Sequence, residues 1–175
     1  MTDKFLNSDV LRLRAVEPSD AELMWQIESD SRQWLDNGIL APYSLKNLRD
    51  YAENYDADPI RAGQIRFVVE LVNGHRPIGL ADLYDISATN RTAFIGIYII
   101  DDCRGEGLSK VALSLLEDYA RQLLNLRMLG AKVAEGNTSS ATLFSHTGYE
   151  SVGRLPDWLL SGSETRDVTI YVKKL

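Results

Sequence analysis

Arg104-Gly105-Glu106-Gly107-Leu108-Ser109 is the stretch whose residue types and spacing best suit chemistry. Two glycines, one residue apart, stand behind an arginine and in front of an amphipathic helical pattern. A helix start leaves four backbone N–H groups unpaired and carries about half a positive charge, so small residues leading into it let a phosphate approach. Gly105 and Gly107 permit that approach, since a Cβ at either place would block backbone contact with a ligand or forbid a positive φ. Arg104 adds fixed positive charge, and Ser109 offers a hydroxyl donor. A tight turn with no ligand is the competing reading of the same glycines. The dinucleotide fingerprint does not apply: its third glycine is missing, and the preceding strand follows a hairpin instead of opening a βαβ unit. The lysine phosphate loop fails too, having no Gly-Lys-Ser/Thr.

The elements that must position this loop are readable around it. Val10 to Val16 alternates as a half-buried strand, and Pro18, Ser19 and Asp20 then start a helix over about Ala21 to Ser29. Ser44 caps a second helix, with Leu45, Leu48, Tyr51, Ala52 and Tyr55 on one face. Two alternating runs joined around Asn73-Gly74 make a β-hairpin, because that dipeptide tolerates the positive φ of a tight turn. Arg91 to Ile100 is the strand that runs into the loop. From Leu108 the apolar positions Val111, Ala112, Leu115, Leu116, Tyr119 and Leu123 define a helix of about four turns. A buried strand near Met128, a short helix stopped by Gly148, and two closing strands around Glu150–Trp158 and Val168–Leu175 complete the order β-α-α-β-β-β-α-β-α-β-β. Nothing in the chain suggests a repeat or a linker, so residues 1–175 are expected to form one domain.

Bulk properties narrow the function. The chain has 175 residues, 45% hydrophobic, enough for one well-buried core. A net charge of -6 argues against binding the backbone of nucleic acids and for cationic or small-molecule partners. The single cysteine, Cys103, allows no internal disulfide, no metal spacing is present, and a reducing, cytoplasmic setting fits. No apolar run reaches the roughly 18 residues of a membrane span, and the first ten residues lack a signal-peptide core.

With these residues in view, the chain resembles the GNAT superfamily of N-acetyltransferases. Residues 104–109 match its diphosphate loop, [R/Q]-x-x-G-x-[G/A], with Ser109 departing at the last small position. Asn137, Ser140, Leu143, Phe144, Gly148 and Tyr149 match its downstream motif, and the element order agrees. The ending and the segment Ala41–Ser44 look closest to the branch holding the ribosomal-protein N-terminal and the spermidine/spermine acetyltransferases. The resemblance implies an α+β, three-layer acyl-CoA N-acyltransferase fold: a mixed, largely antiparallel twisted sheet flanked by about four helices. It implies acetyl-CoA as co-substrate, lying against Ile97, Tyr98, Ile99 and Ile100, with its diphosphate on the amides of Arg104, Gly105, Glu106, Gly107, Leu108 and Ser109. Asn137 would bond the pantetheine arm and Phe144 would lie near the thioester. Relatives pairing through their last strands imply a homodimer or higher oligomer, and no metal is implied.

Acyl transfer from a thioester to an amine needs a neutral amine, donors for the developing oxyanion, and a proton for the leaving thiolate. Relatives often meet the first need with a Glu and the third with a Tyr, but Phe94 and Phe144 occupy those positions here. Deprotonation at pH 7 costs roughly 4.6 kcal/mol for a lysine-type amine and roughly 1.1 kcal/mol for an α-amine. A site without a strong base therefore suits the α-amine of a peptide or protein. A polyamine or lysine amine is the alternative, favoured by Glu28, Asp30, Asp36, Asp50, Asp56 and Asp58 near the first two helices. Binding of acyl-CoA without turnover, as a sensor module, is an alternative of another class. Asp82 is the candidate base or amine anchor, and Ser140 the candidate donor to the thioester oxygen or leaving sulfur, against readings as a solvated carboxylate and a helix cap. Tyr84 and Glu135 are held in reserve. Cys103, His75 and His146 are read as structural or exposed, and Trp25, Trp34 and Trp158 as core.

Overall fold

The computed structural model describes residues 5–31, 41–161 and 163–175. Its strands are β1 (Leu11–Ala15), β2 (Ile65–Leu71), β3 (Pro77–Ser87), β4 (Thr92–Ile99), β5 (Met128–Ala134), β6 (Glu150–Ser161) and β7 (Glu164–Lys174). They form one sheet in the order β1-β2-β3-β4-β5-β7-β6. Every neighbouring pair is antiparallel except β4 and β5, which run parallel. Among the described residues the helices are α1 (Ala21–Glu28), α2 (Leu45–Glu53), α3 (Pro59–Ala62), α4 (Leu108–Gln122) and α5 (Thr138–Ser145).

The helix ends follow the expected chemistry. Ser44 accepts from the amide of Asn47 and the Asn47 side chain reaches back to Ser44, a reciprocal cap that starts α2. The one-turn α3 is an addition to the four helices anticipated; Asp58 starts it by accepting from the amides of Ile60 and Arg61. The exclusion of a βαβ unit does not hold: β4, α4 and β5 are one, because α4 carries the chain back to start β5 in the direction of β4.

Residues directly opposite in the ladder share a face of the sheet. One face carries Leu11, Leu13, Phe67, Ala81, Leu83, Ile95 and Ile97 toward α4, where Phe67 meets Tyr119 edge-on at 5.0 Å. On the same side α5 packs through Phe144 against Tyr171, which stands opposite Ala131 of β5. The other face carries Arg66, Asp82, Tyr84, Phe94 and Gly96, and α1 and α2 lie against it. In α4 the buried residues are Leu108, Ala112, Leu113, Leu115, Leu116, Tyr119 and Ala120; of the expected stripe, Val111 is only half-buried and Leu123, at the helix end, is exposed.

Two expectations about packing fail. The closing strands are longer than expected, and β6 runs through Pro156, which an edge strand tolerates because its outward N–H has no partner to lose. Trp25 and Trp158 are exposed rather than core. In α1 the inward positions are Ala21, Met24 and Ile27, which turns Trp25 aside, and Trp158 lies on the edge strand within the register shift between Leu155 and Leu159. Trp34 and Asp36 lie outside the described residues.

At the β1–β2 end, buried Glu70 is held from several directions. Arg14 Nε donates to Glu70 Oε2 while Arg14 Nη1 and Nη2 donate to Asp20, both at 2.7 Å. Arg12 Nε donates to Glu70 Oε1 at 2.9 Å, and the His75 ring lies 3.2 Å away. Burial pushes the Glu70 carboxyl up, but the hydrogen bonds from Arg14, Arg12 and His75 outweigh it and hold it below its ordinary value of 4.5. A depressed carboxyl stabilises the fold above its unfolded pKa and loses that contribution as pH falls. Glu70→Gln should thus cost about 3 kcal/mol at pH 7, and the gap from the parent should narrow as pH drops below 4.5. Urea unfolding at both pH values checks this; an equal gap at each would remove Glu70 as its source.

Candidate active site

The parallel ladder between β4 and β5 holds only three pairs, Thr92 with Met128, Ala93 with Leu129 and Phe94 with Gly130. Beyond them β4 stays paired to β3 as far as Ile99, and β5 to β7 as far as Ala134. The facing edges of Ile95–Ile99 and Ala131–Ala134 are therefore left without sheet partners, and the sheet opens into a gap. Because the two strands are parallel, α4 and α5 both begin at the same mouth of that gap, and their partial positive charges converge there.

The loop at that mouth is built as the glycines suggested. Gly105 has φ 82° and Gly107, the residue that starts α4, has φ 76°. No atom lies within 4 Å of where a Cβ on either would stand, so backbone conformation, not crowding, requires glycine. Among the described residues the amides of 105–109 have no hydrogen-bond acceptor. Five donors without an acceptor at a helix N-terminus are an arrangement that an anion fits. Arg104 points elsewhere: its Nε donates to the carbonyl of Ile99 at 2.8 Å, Nη1 meets Asp101 at 2.9 Å, and the guanidinium stacks 5.0 Å from the Tyr98 ring. It ties the loop to the end of β4 and contributes its charge at a distance. Lys110 sits in the first turn of α4, where a cation opposes the helix dipole unless an anion is bound. The reading of the motif passed over it, although a lysine in a first turn is a legible signal.

On the other side of the mouth Asn137 starts α5, its side-chain oxygen accepting from the amide of Ser140 at 3.1 Å. The cap is thus the Asn137 side chain and not the Ser140 hydroxyl. Phe144 is buried against Tyr149 at 5.0 Å and Tyr171 at 6.3 Å, closing the α5 side as packing. Ile97 and Tyr98 are half-buried along the gap, while Ile99 and Ile100 are buried.

On the α1–α2 face, Asp82 is not a free base. Arg66 Nε and Nη2 donate to its two oxygens at 3.0 and 2.8 Å, and Arg66 Nη1 meets Glu28 at 3.1 Å. Tyr84 is pushed up to about 12, chiefly by burial and then by Asp85 and Asp82, so it stays neutral. Its ring stacks 5.8 Å from Phe94. The Phe94 ring lies over Gly130 so closely that a Cβ there would come within 2.8 Å of it. Lys132 Nζ rests 4.3 Å from the Phe94 centroid. Sequence reasoning missed both Gly130 and Lys132, since nothing local marks residues that meet across strands.

The other singled-out residues scatter. Asp50 pairs with Lys46, Asp56 with Arg61, and Asp58 caps α3. Glu135 meets the amide of Asp167 at 3.5 Å. Cys103 is buried in the turn before the loop.

Residues 11–150 match the family model described as acetyltransferase (GNAT) domain. The spermidine N(1)-acetyltransferase of Vibrio cholerae is 26% identical over 158 residues, covering 90% of this chain and 89% of that protein. The ribosomal-protein-serine acetyltransferase of Escherichia coli is 22% identical over 175 residues, covering 99% and 97%. The crystal structure of the Vibrio cholerae spermidine N-acetyltransferase in complex with CoA and spermine superposes with a TM-score of 0.81 at 25% identity, covering 94% of this chain and 95% of that one.

If the loop amides hold a diphosphate, two variants should separate binding from folding. Gly107→Val forbids the positive φ and should weaken CoA binding at least ~10-fold with some loss of stability. Ser109→Asp puts a carboxylate in the first turn of α4, which favours the helix yet repels phosphate, so stability should hold while CoA affinity drops ~10-fold or more. Calorimetric titration with CoA reads both; unchanged affinity in Ser109→Asp would discredit the cradle.

Proposed function

The chain belongs to the GNAT family of acetyltransferases, and on that premise we propose that it moves the acetyl group of acetyl-CoA onto the α-amine of a peptide or protein. The observation that carries the acceptor reading is the base-poor face of the gap. Asp82 is locked by Arg66, Tyr84 is held neutral, and Phe94 fills the position where the chemistry would want a carboxylate. An α-amine needs little help at pH 7, about 1.1 kcal/mol, which water can supply as the proton acceptor.

In this reading the amides of residues 105–109 hold the diphosphate, and the open edge of Ile95–Tyr98 offers N–H and C=O groups to the pantetheine amides. The bound thioester supplies an electrophilic carbonyl. Asn137 orients the arm through Nδ2, and the Ser140 hydroxyl donates toward the carbonyl oxygen or departing sulfur. The amine enters from the α1–α2 face, its nitrogen bonds to carbon as the carbon–sulfur bond breaks, its surplus proton passes to water, and the thiolate regains one from solvent.

A polyamine or lysine amine is the second reading. It is favoured by Glu28 and Asp82, two carboxylates that converge on one guanidinium on this face. The single thiol, Cys103, suits a cytoplasmic setting. Self-association is also proposed, through edge strand β6, whose Val152, Trp158 and Leu160 are 57%, 63% and 65% exposed.

An acceptor panel tests the reading. Thiol release should be fastest with peptide α-amines, and its rate should level off near pH 8, whereas a lysine-type acceptor would keep climbing toward pH ~10. A continued climb with the best acceptor, or CoA binding without release on any amine, would overturn it. Trp158→Lys with Leu160→Lys should lower the mass measured by light scattering; an unchanged oligomer would discard β6 as its contact.

A further inference from the structure

The two rims of the gap differ in charge on the α1–α2 face. The β3 side carries Arg66 already satisfied by Asp82 and Glu28. The β5 side carries Lys132, two residues past Gly130, where the ladder ends, and on the same face. Its side chain is 40% exposed, yet its ammonium is drawn back over the sheet. It lies 4.3 Å from the Phe94 centroid and 5.6 Å from that of Tyr84, and 3.3 Å from Asp85 Oδ2. The aromatic pair thus forms a platform that holds the charge down at the edge of the opening. Asp85 itself reaches Lys132 from a left-handed backbone position, φ 51°, within the stretch where the β3–β4 register shifts between Tyr84 and Ser87. Its carboxylate is 63% exposed, so this pair is a weak one that another carboxylate can displace.

We propose that Lys132 selects the acceptor by charge, receiving a carboxylate that the amine substrate bears a few bonds from its nitrogen and turning away polyamines. The inference rests on the α-amine reading above and gives it a substrate class: peptides whose first residues include Asp or Glu, or other amines bearing a carboxylate. Two consequences follow from one fixed cation. A ligand carboxylate gains an ammonium already positioned over two aromatic rings, so less side-chain freedom is lost when the pair forms. A nearby ammonium on the acceptor is meanwhile disfavoured, which lowers the pKa of the incoming amine and supplies part of what a general base would. On the opposite rim Arg66 is already engaged, three of its five N–H groups donating to Asp82 and Glu28.

The test compares the parent with Lys132→Gln, Lys132→Glu and Asp85→Asn on three acceptors: a peptide beginning Ser-Glu, the same peptide beginning Ser-Gln, and spermidine. The parent should favour the acidic peptide in kcat/KM by ~10-fold, Lys132→Gln should erase that preference, and Lys132→Glu should invert it while raising kcat/KM for spermidine ~10-fold. Asp85→Asn, which removes the competing carboxylate, should sharpen the acidic preference. With the Ser-Gln peptide, the acid limb of the pH profile should move to higher pH in Lys132→Gln, and the KM for acetyl-CoA should stay within about twofold of the parent. Acceptor ratios that remain within about twofold across both Lys132 variants would overturn the inference. If the parent uses spermidine and no peptide, the α-amine reading fails, and the spermidine rate of Lys132→Glu then decides the charge selection by itself.

Discussion

Between β4 and β5 the hydrogen-bond ladder runs from Thr92 and Met128 to Phe94 and Gly130, and there it stops. What keeps it short is that each strand is committed on its other edge, β4 to β3 through Ile99 and β5 to β7 through Ala134. Closing the gap would require one of those ladders to bend toward the other. The Phe94 ring seated on Gly130 stands at the point of divergence. Backbone N–H and C=O groups along an open edge need partners from water or a ligand. An extended molecule rich in amides, entering at the mouth, can supply them, which is why the opening reads as a slot and not as a packing fault.

The parallel direction matters as much as the opening. A helix follows each of β4 and β5 at the same end, so two N-termini frame one mouth. Had the pair been antiparallel, the starts of α4 and α5 would stand at opposite edges of the sheet, and an anion held by one would feel nothing of the other. The loop glycines then complete a local requirement: Gly107 at φ 76° starts α4, and the amides of 105–109 have no acceptor among the described residues. Arg104, turned back onto the Ile99 carbonyl, fastens this loop to the strand that forms one wall of the slot.

How far the sequence carried these features depended on whether their cause was local. The α4 stripe, the Ser44 cap, the turn at Asn73-Gly74 and the positive-φ glycines each arise from residues a few positions apart, and they were legible. The βαβ unit was misread because a hairpin before β4 says nothing about the partner on its other edge, which comes after α4. Asp82 looked like a free carboxylate because Arg66, its partner, is sixteen residues away and meets it only through strand pairing. Gly130 under Phe94, and Lys132 above it, belong to the same class. Trp158 looked like core because aromatic residues usually are, and only the position of β6 at the sheet edge leaves it exposed.

Asp82 beside the gap is tied to Arg66, so the proton that an attacking amine must lose poses an energetic question that charge placement can answer. At pH 7 a lysine-type amine begins about 4.6 kcal/mol short of its neutral form and an α-amine about 1.1 kcal/mol short. A one-unit drop in amine pKa is worth about 1.4 kcal/mol, enough to erase the second deficit and only a third of the first. A single cation near the amine can deliver a shift of that size if water does not screen it. Lys132 meets the condition in part: its ammonium lies over the Phe94 and Tyr84 rings, and Tyr84 is buried strongly enough that its phenol is pushed up to about 12. The same charge would raise the barrier for any acceptor that must bring a second ammonium close by. An aromatic floor, a held cation and a missing base are therefore mutually consistent for an α-amine, and they conflict with one another for a polyamine.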